Sequence, residues 1–310
     1  MRFVYAIQQL TLTTKSPPQL SSQPDNIYIR QIIKEKLIVR EFIQRLAKEP
    51  PFRIVARAIL KKLKVSVKTK DIWALSKRPQ YMTGLVEASN QAIKQGHKEI
   101  SVIEFGVAGG NGLLVLQEEA EIVENETGVK IKVYGFDMGA GGLPSFIGDY
   151  RDHPDAWKQG DYAMDEEKLK SRLTDRTTLI LGNVNETVKT FFKTYNPPPI
   201  GFVSFDLDLY SSTKDALGIF NAAGMKMLWN TPLYFDDIEF VFNHRFAGVF
   251  LAIREFNEEN ENFKIDHWYG VESGRAFPER YFYKKLFVCH DLISISNVIL
   301  DRDTISLHIK

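Results

Sequence analysis

Short apolar runs that end in polar residues recur through the middle of the chain, and helix-competent stretches separate them. Each run has the length and composition of a buried strand. Strands that alternate with helices predict an α/β fold, with a mostly parallel sheet flanked by helices. The predicted strands lie in 101–112, 130–137, 178–183, 201–208 and 232–237, and the predicted helices in 112–123, 164–173, 186–195 and 211–222.

The pattern changes after the fifth run. Residues 245–257 have helical periodicity, and residues 263–271 and 285–290 read as two further strands. We expect these strands to form an antiparallel pair at one edge of the sheet. No apolar stretch reaches the roughly 18 residues that would span a bilayer, so no transmembrane segment is expected.

The first run continues into a glycine-rich turn. In the sequence SVIEFGVAGGNG, Glu104 ends the apolar run, and Gly106, Ala108 and Gly110 alternate before a helical segment. Glycine in a strand–turn–helix unit lets the backbone approach a bound nucleoside, and such a turn favours positive φ angles. A ligand is therefore expected at residues 104–112. The turn alone is also compatible with a dinucleotide.

Polar side chains follow each of the five predicted strands. In parallel α/β sheets, ligands bind at the carboxyl ends of the strands, near the point where the strand order reverses. We therefore expect one ligand site that is bordered by Glu104, Asp137, Asn183, Asp206, Asp208, Asp236 and Asp237.

The segments EFGVAGG, GFD, FDLDLYSST and YFDD, in this order, resemble class I methyltransferases that use S-adenosylmethionine. They are most similar to the macrocin O-methyltransferase family, over roughly residues 80–260. The resemblance implies a Rossmann-like, seven-stranded sheet and methyl transfer to a hydroxyl of a sugar or other polar small molecule. It also implies help from a divalent cation, with Mg²⁺ expected, which Asp206, Asp236 and Asp237 would hold.

The same resemblance assigns the cofactor contacts. Glu104 and the turn of Gly106, Ala108 and Gly110 would hold the methionine part of S-adenosylmethionine. Asp137 would bind the ribose, and Asn183 would accept from the adenine amino group through its side-chain carbonyl. Asp206 would border both the cofactor and the cation.

Elementary electrostatics supports a cation at the later strand ends. Three carboxylates on neighbouring strands repel one another unless a positive charge lies between them. Oxygen ligands suit Mg²⁺, Ca²⁺ or Mn²⁺. Asp236 and Asp237 are also compatible with a simple turn after a strand, where Asp is common.

The sequence does not decide which residue is the general base. Metal-dependent catechol-type methyltransferases place a lysine shortly after the first metal-binding acid, where this chain has Leu207, Asp208 and Leu209. The candidates are therefore His153, His244 and Asp208. Histidine suits the task because its ordinary pKa lies near neutrality, and His153 ranks first because it lies in the insertion beside the expected mouth of the ligand site. A structural or merely exposed histidine is nevertheless the commoner case.

The chain divides into a basic N-terminal arm with a helical extension, residues 1–79, and a cofactor-binding domain, residues 80–310. Residues 138–168 form a long, turn-rich insertion after the second strand, as in a lid or binding loop. Its aromatic residues Tyr150, Trp157 and Tyr162 are candidates for packing on a substrate.

Charge is uneven along the chain. Residues 1–80 hold 17 Lys or Arg and 5 Asp or Glu, a formal charge of +12, which leaves −11 for the remainder of a chain whose total is +1. The basic part contains two helical patterns, 29–47 and 54–63, separated by Pro50 and Pro51. We favour docking of these helices on the acidic domain over binding to an anionic partner, because their apolar stripes need burial. A nucleic-acid partner is not expected, and a homodimer is left open.

Two other observations bear on function. The single cysteine, Cys289, lies in an apolar run, excludes an internal disulfide and favours a reducing compartment, so we expect a cytoplasmic protein. The rival functions are a non-catalytic nucleoside-binding or scaffold protein and a nicotinamide-dependent oxidoreductase. The oxidoreductase gives no reason for acids at Asp206, Asp236 and Asp237.

Overall fold

The computed structural model describes residue 49 and residues 51–240 and 243–299. The predicted helix at 29–47 and Pro50 lie outside these residues. Among the described residues, no helix is both long and apolar enough to cross a membrane.

A single seven-stranded sheet forms the centre of the molecule. Its strand order is β3-β2-β1-β4-β5-β7-β6. The five strands from β3 to β5 are parallel to their neighbours, and β7 runs antiparallel to both β5 and β6. The strands are β1 (Glu99–Phe105), β2 (Lys130–Asp137), β3 (Thr177–Leu181), β4 (Ile200–Phe205), β5 (Asn230–Phe235), β6 (Phe263–His267) and β7 (Leu286–Asp291).

Helices cover both faces of this sheet, and an apolar core lies on each side of it. The described helices are α1 (Phe52–Leu60), α2 (Val67–Ile72), α3 (Pro79–Lys94), α4 (Asn111–Thr127), α5 (Glu166–Lys170), α6 (Val184–Tyr195), α7 (Tyr210–Ala223), α8 (Gly248–Glu259) and α9 (Leu292–Ser296). Helix α3 packs against β4 and β5, so the chain before the glycine turn belongs to the same core.

The alternating pattern of the sequence is confirmed strand by strand. All seven predicted strands and all five helices that follow the glycine turn are present. The seventh strand buries Cys289 completely, as its apolar run indicates. The predicted strand 263–271 was too long, because the chain turns after His267 and Gly270 adopts a φ of 77°. The predicted helix 164–173 was also too long, since α5 has only five residues.

Three phenylalanines fix the strand ends that carry the site. Phe105, Phe205 and Phe235 are the last residues of β1, β4 and β5, and all three are buried. The Phe205 ring stacks on Phe105 with a centroid distance of 5.4 Å and on Phe235 at 4.7 Å. Because the rings lie in one row, the residues that follow them emerge side by side at one edge of the sheet.

The strand order reverses between β1 and β4. The chain proceeds from β1 to β2 and β3 on one side, then crosses to β4 and β5 on the other. Helices that leave two neighbouring strands in opposite directions open a crevice between them. The crevice of this protein therefore lies at Gly106 and Asp206, the residues that follow β1 and β4.

Arginines of helix α1 attach the basic extension to the acidic domain. Arg53 forms an ion pair of 2.8 Å with Glu279, and its guanidinium lies over the Phe277 ring at 5.1 Å. The Arg57 guanidinium lies over the same ring at 5.5 Å. These contacts support docking of α1 on the acidic domain. The predicted burial of its apolar stripe is seen only in part, since Ile54 and Val55 are exposed.

Glu119, on helix α4, is a buried acid that makes stability depend on pH. Its side chain is 3% exposed and accepts the backbone N–H of Arg78 at 3.2 Å. Burial raises its pKa from 4.5 to about 7. Between these values the folded protein binds more protons at Glu119 than the unfolded chain does, so its contribution to the unfolding free energy falls as pH rises through this window.

We expect Glu119→Gln to remove the loss of unfolding free energy that Glu119 causes as the pH rises. The unfolding free energy of the variant relative to wild type should increase by about 2–3 kcal/mol from pH 5 to pH 8, as measured by urea denaturation. The control is Glu121→Gln, on the same helix but exposed. Equal pH dependence in both variants would show that Glu119 ionises freely in the folded protein.

Candidate functional site

A cavity of about 490 Å³ lies at the carboxyl edge of the sheet, beneath the long insertion. Its wall combines the ends of the five parallel strands with residues 142–145, Ile147, Trp157 and Tyr162 of the insertion. Most of the site residues inferred from the sequence lie in this wall: Gly106, Ala108, Asp137, Asn183, Asp206, Asp208, Asp236 and Asp237. The strand-end argument therefore brings these eight residues to one cavity.

The glycine turn requires glycine at two positions. Gly106 has a φ of +80°, and a Cβ there would lie 1.8 Å from the carbonyl oxygen of Asp206. Gly110 caps α4 with a φ of +84°, and a Cβ there would lie 2.3 Å from the side chain of Leu169. The turn is thus held against β4 on one side and α5 on the other, and its backbone borders the cavity.

Asp137 shapes the glycine turn from the neighbouring strand. Its Oδ2 accepts the backbone N–H groups of Val107 and Ala108, each at 2.8 Å, and its Oδ1 accepts the N–H of Gly139 at 2.7 Å. A carboxylate has about four acceptor positions. One remains for a ligand hydroxyl, so the side chain can brace the turn and border a ribose together.

Asn183 lies in the cavity wall but is already engaged. It is the N-cap of α6, where its Oδ1 accepts the backbone N–H of Asn185 at 2.9 Å. The second lone pair of this oxygen remains for the adenine amino group that the resemblance implies.

Glu104 lies behind the turn and does not line the cavity. Its Oε1 accepts the hydroxyl of Tyr81 at 2.7 Å, and its Oε2 is buried with no hydrogen-bond partner among the described residues. Burial raises its pKa to about 8, so the side chain is largely protonated at neutral pH. A Cβ on Gly112 would lie 2.0 Å from Oε1, which explains a second requirement for glycine at the start of α4.

Tyr81 and Arg78 are site residues that sequence reasoning missed. Arg78 donates to the Tyr81 hydroxyl at 2.8 Å and lies 3.9 Å from the carboxylate of Asp206. Together they connect Glu104 to Asp206 across the strand order reversal. Nothing in the local sequence indicates this, because Tyr81 belongs to α3 and Arg78 is the N-cap of that helix, which precedes the glycine turn.

Three carboxylates meet where β4 and β5 end. Oxygen atoms of Asp206, Asp236 and Asp237 all lie within 4.8 Å of one another. Burial, followed by the nearby charge of Asp236, raises the pKa of Asp206 to about 7 and that of Asp208 to about 6. Burial and the same group of acids raise the pKa of Asp237. The carboxylates of this cluster therefore repel one another, and a bound cation would reduce the repulsion.

The residues present fit a divalent cation. The Oδ2 of Asp237 is buried and has no hydrogen-bond partner among the described residues. Asp206, Asp208, Asp236 and Asp237 carry four formal negative charges. Arg78 and Lys285 supply two positive charges, so the formal charge of the group is −2. The ligand atoms that these carboxylates offer are all oxygens, which hard cations such as Mg²⁺ prefer.

Lys285 and Tyr234 orient one of these acids. Lys285 donates to the backbone carbonyl of Asp236 and lies 3.4 Å from its Oδ1, and the Tyr234 hydroxyl donates to the same Oδ1. Sequence reasoning missed Lys285, which lies directly before β7 and 49 positions from Asp236. Its approach depends on the antiparallel pairing of β7 with β5.

The two candidate histidines lie outside the cavity wall. His153 is 4% exposed, packs edge-on against Phe240 at a centroid distance of 4.8 Å and lies 5.3 Å from the His244 ring. Burial and His244 lower the pKa of His153. His244 is exposed. Of the three candidate bases, only Asp208 borders the cavity.

Asp152 anchors the insertion over the cavity. Its carboxylate is fully buried and accepts the N–H and hydroxyl of Ser211, at 2.8 and 3.0 Å, and the N–H of Ile147 at 2.9 Å. It thus joins the insertion to the first turn of α7. This residue, too, was missed, because an acid inside a turn-rich loop carries no distinguishing pattern.

Removal of this anchor should loosen the insertion. Asp152→Ala leaves buried donors without an acceptor, at a cost of about 1–3 kcal/mol. We expect faster amide hydrogen exchange in residues 143–162 and unchanged exchange in β1 and β2. Asp155→Ala is the control, since the Asp155 side chain is 83% exposed. Similar exchange in both variants would contradict the anchoring role.

The strand order, with its single antiparallel insertion of β7, and the cavity at the reversal define a Rossmann-like class I methyltransferase fold. No protein-family model matches the chain, and no curated protein matches it. Among solved structures, the chain is similar to CalS11, a calicheamicin methyltransferase, at 19% identity, over 78% of this chain and 90% of that one, with a TM-score of 0.44.

Two further solved structures are similar at lower identity. The O-methyltransferase NovP is 16% identical, over 59% of this chain and 72% of that one, with a TM-score of 0.44. MycE, a methyltransferase of the mycinamycin biosynthetic pathway solved with Mg and SAH, is 12% identical, over 69% of this chain and 51% of that one, with a TM-score of 0.35. The ligands of these proteins are theirs, and the function of this chain is inferred from its own residues.

Proposed function

We propose that this protein transfers a methyl group from S-adenosylmethionine to a hydroxyl of a sugar or other polar small molecule, with help from a divalent cation. The observation that carries the proposal is that one cavity at the strand order reversal holds both groups of residues. In it the glycine turn and Asp137 lie on one side, and the carboxylate cluster lies on the other. A nucleoside site beside a cation site is the arrangement that cation-assisted methyl transfer to oxygen requires.

The cofactor half of the cavity would be formed by the glycine turn, Asp137 and Asn183. The backbone of the turn gives close access, Asp137 keeps one acceptor position for a ribose hydroxyl, and Asn183 keeps one for adenine. S-adenosylmethionine supplies an electrophilic methyl group on its sulfonium. Glu104 would support this half of the cavity from behind the glycine turn, because its buried Oε2 has no hydrogen-bond partner among the described residues.

The acceptor half would be formed by the carboxylate cluster and Asp208. Asp206, Asp236 and Asp237 would hold the cation, which, when bound, lowers the pKa of a coordinated hydroxyl. We propose Asp208 as the general base, since it alone of the three candidates borders the cavity. Its pKa of about 6 leaves it ionised at neutral pH, so it can accept the hydroxyl proton. Lys285 and Arg78 would hold Asp236 and Asp206 in place.

Calorimetric titration with S-adenosylhomocysteine tests the proposal. The titration is run with Mg²⁺ and with EDTA, on wild type and on a variant that carries Asp236→Ala and Asp237→Ala. We expect binding that survives EDTA and the double substitution, and a Mg²⁺ signal that the substitutions abolish. Absence of S-adenosylhomocysteine binding under every condition would remove the methyltransferase proposal, and binding of a nicotinamide dinucleotide instead would favour an oxidoreductase.

A further inference from the structure

The charge of the cavity wall restricts what can bind there. Six of the residues that line it are aspartates, and none of its described residues is Lys, Arg or His. Protein sites for phosphate or carboxylate groups use Arg, Lys or arrays of N–H donors. A wall of this composition disfavours an anionic acceptor, even after two positive charges are added by a divalent cation. The six residues are Asp137, Asp206, Asp208, Asp215, Asp236 and Asp237.

Five of these aspartates either belong to the proposed cation site or already accept hydrogen bonds within the protein. The cluster of Asp206, Asp236 and Asp237 faces the proposed cation, and Asp137 holds three backbone N–H groups. Asp215 accepts the side-chain amide of Asn185 at 2.8 Å. Asp208 differs, because no other described residue donates a hydrogen bond to its carboxylate. The proposed general base is therefore the one acid of this wall that remains for the acceptor molecule.

Two aromatic rings of the insertion border the same part of the cavity. Trp157 and Tyr162 lie with their ring centroids 6.4 Å apart and their planes inclined at 58°. Burial and the nearby charges of Asp208 and Asp237 raise the pKa of Tyr162, and both rings line the cavity together with these acids. The indole Nε1 of Trp157 is buried and has no partner among the described residues.

Aromatic faces beside carboxylates are the chemistry that recognises an ammonium group. A cation over Trp or Tyr gains about 0.5–2 kcal/mol, and a nearby acid adds to the attraction. We propose that the methyl acceptor is a hydroxylated compound that bears an ammonium group, as an amino sugar does, and that Trp157 and Tyr162 seat this group. The inference rests on the proposed function and specifies its substrate class. It ranks sugar phosphates and nucleoside diphosphate sugars below such a compound as acceptors.

The experiment compares three probes of one ring size and different charge: glucosamine, glucose and glucose 6-phosphate. Binding is measured by saturation-transfer NMR on the full chain with S-adenosylhomocysteine and Mg²⁺, at a pH below the pKa of the glucosamine amine. The variants are Tyr162→Leu and its control Tyr150→Leu, which alters an exposed tyrosine of the same insertion that does not line the cavity.

We expect glucosamine to bind about fivefold more tightly than glucose, with glucose 6-phosphate weakest. Tyr162→Leu should remove most of the preference for glucosamine, and Tyr150→Leu should preserve it. Equal binding of the three probes, a preference for the phosphate, or no binding of glucosamine overturns the inference. Because S-adenosylhomocysteine binding is measured on the same samples, loss of the proposed function and loss of the charge preference give different results.

Discussion

Asp237→Asn is expected to weaken the binding of Mn²⁺, used as a spectroscopic substitute for Mg²⁺, by at least about 100-fold. The substitution removes one negative charge and replaces one of the two carboxylate oxygens with an amide nitrogen. Of these oxygens, Oδ2 is buried and has no hydrogen-bond partner among the described residues. The amide keeps one oxygen that can ligate a hard cation, but it is uncharged, so the cation loses one of its three charged ligands. Electron paramagnetic resonance of free Mn²⁺ measures the change directly.

The same substitution should stabilise the protein when the cation is absent. The three carboxylates lie within 4.8 Å of one another, so loss of one charge relieves their repulsion in EDTA. We therefore expect a higher midpoint of thermal unfolding in EDTA and a smaller gain when Mn²⁺ is added. Opposite effects on stability and on cation affinity are typical of a functional site.

Asp215→Asn is the matched control for this prediction. Asp215 also lines the cavity and carries the same charge, but it lies outside the carboxylate cluster. We expect its Mn²⁺ affinity to stay within about threefold of wild type. If Asp237→Asn and Asp215→Asn behave alike, Asp236 and Asp237 are turn residues after a strand, the alternative that the sequence leaves open.

Gly106→Ala is expected to lower the unfolding free energy by about 3–5 kcal/mol and to abolish binding of S-adenosylhomocysteine. A left-handed φ of +80° is costly for any residue with a Cβ, and the added methyl would lie 1.8 Å from the Asp206 carbonyl oxygen. Relief of this clash requires β1 and β4 to separate, which distorts the strand order reversal. Guanidinium denaturation followed by tryptophan fluorescence measures the loss.

Gly109→Ala separates this effect from a general intolerance of the turn. Gly109 lies in the same turn, but a Cβ there meets no atom within 4 Å, and its φ is not in the left-handed region. We expect its unfolding free energy to stay within about 0.5 kcal/mol of wild type. A comparable loss in both variants would mean that the turn is fragile throughout and that Gly106 has no special contact with β4.

The carboxylate cluster could be anticipated from the sequence because its position depends only on the sheet. Asp206 and Asp236 directly follow the buried ends of adjacent parallel strands. The pleat and hydrogen-bond register of such strands bring their carboxyl ends to one edge. Local hydrophobic patterning was therefore sufficient to place Asp206, Asp236 and Asp237 together, along with the glycine turn and Asp137.

Contacts between distant elements could not be anticipated in this way. Tyr81 reaches Glu104 across 23 positions, and Lys285 reaches Asp236 across 49. The role of a side chain such as Lys285 depends on how one helix or edge strand packs on the sheet, and no period in the sequence encodes that packing. His153 illustrates the same point, because a position in the insertion near the cavity mouth did not indicate that its ring turns towards Phe240.

The sequence by itself determined the class of sheet, the glycine turn at its centre and the strand ends that supply the acids, because these follow from local alternation of apolar and polar residues. Only the tertiary structure decided which acids face the cavity, which basic side chains lie beside them and which aromatic side chains line the same cavity. Burial and opposing charges act through space rather than along the chain, so the protonation of Glu104 and the free carboxylate of Asp208 emerge only when the elements are packed.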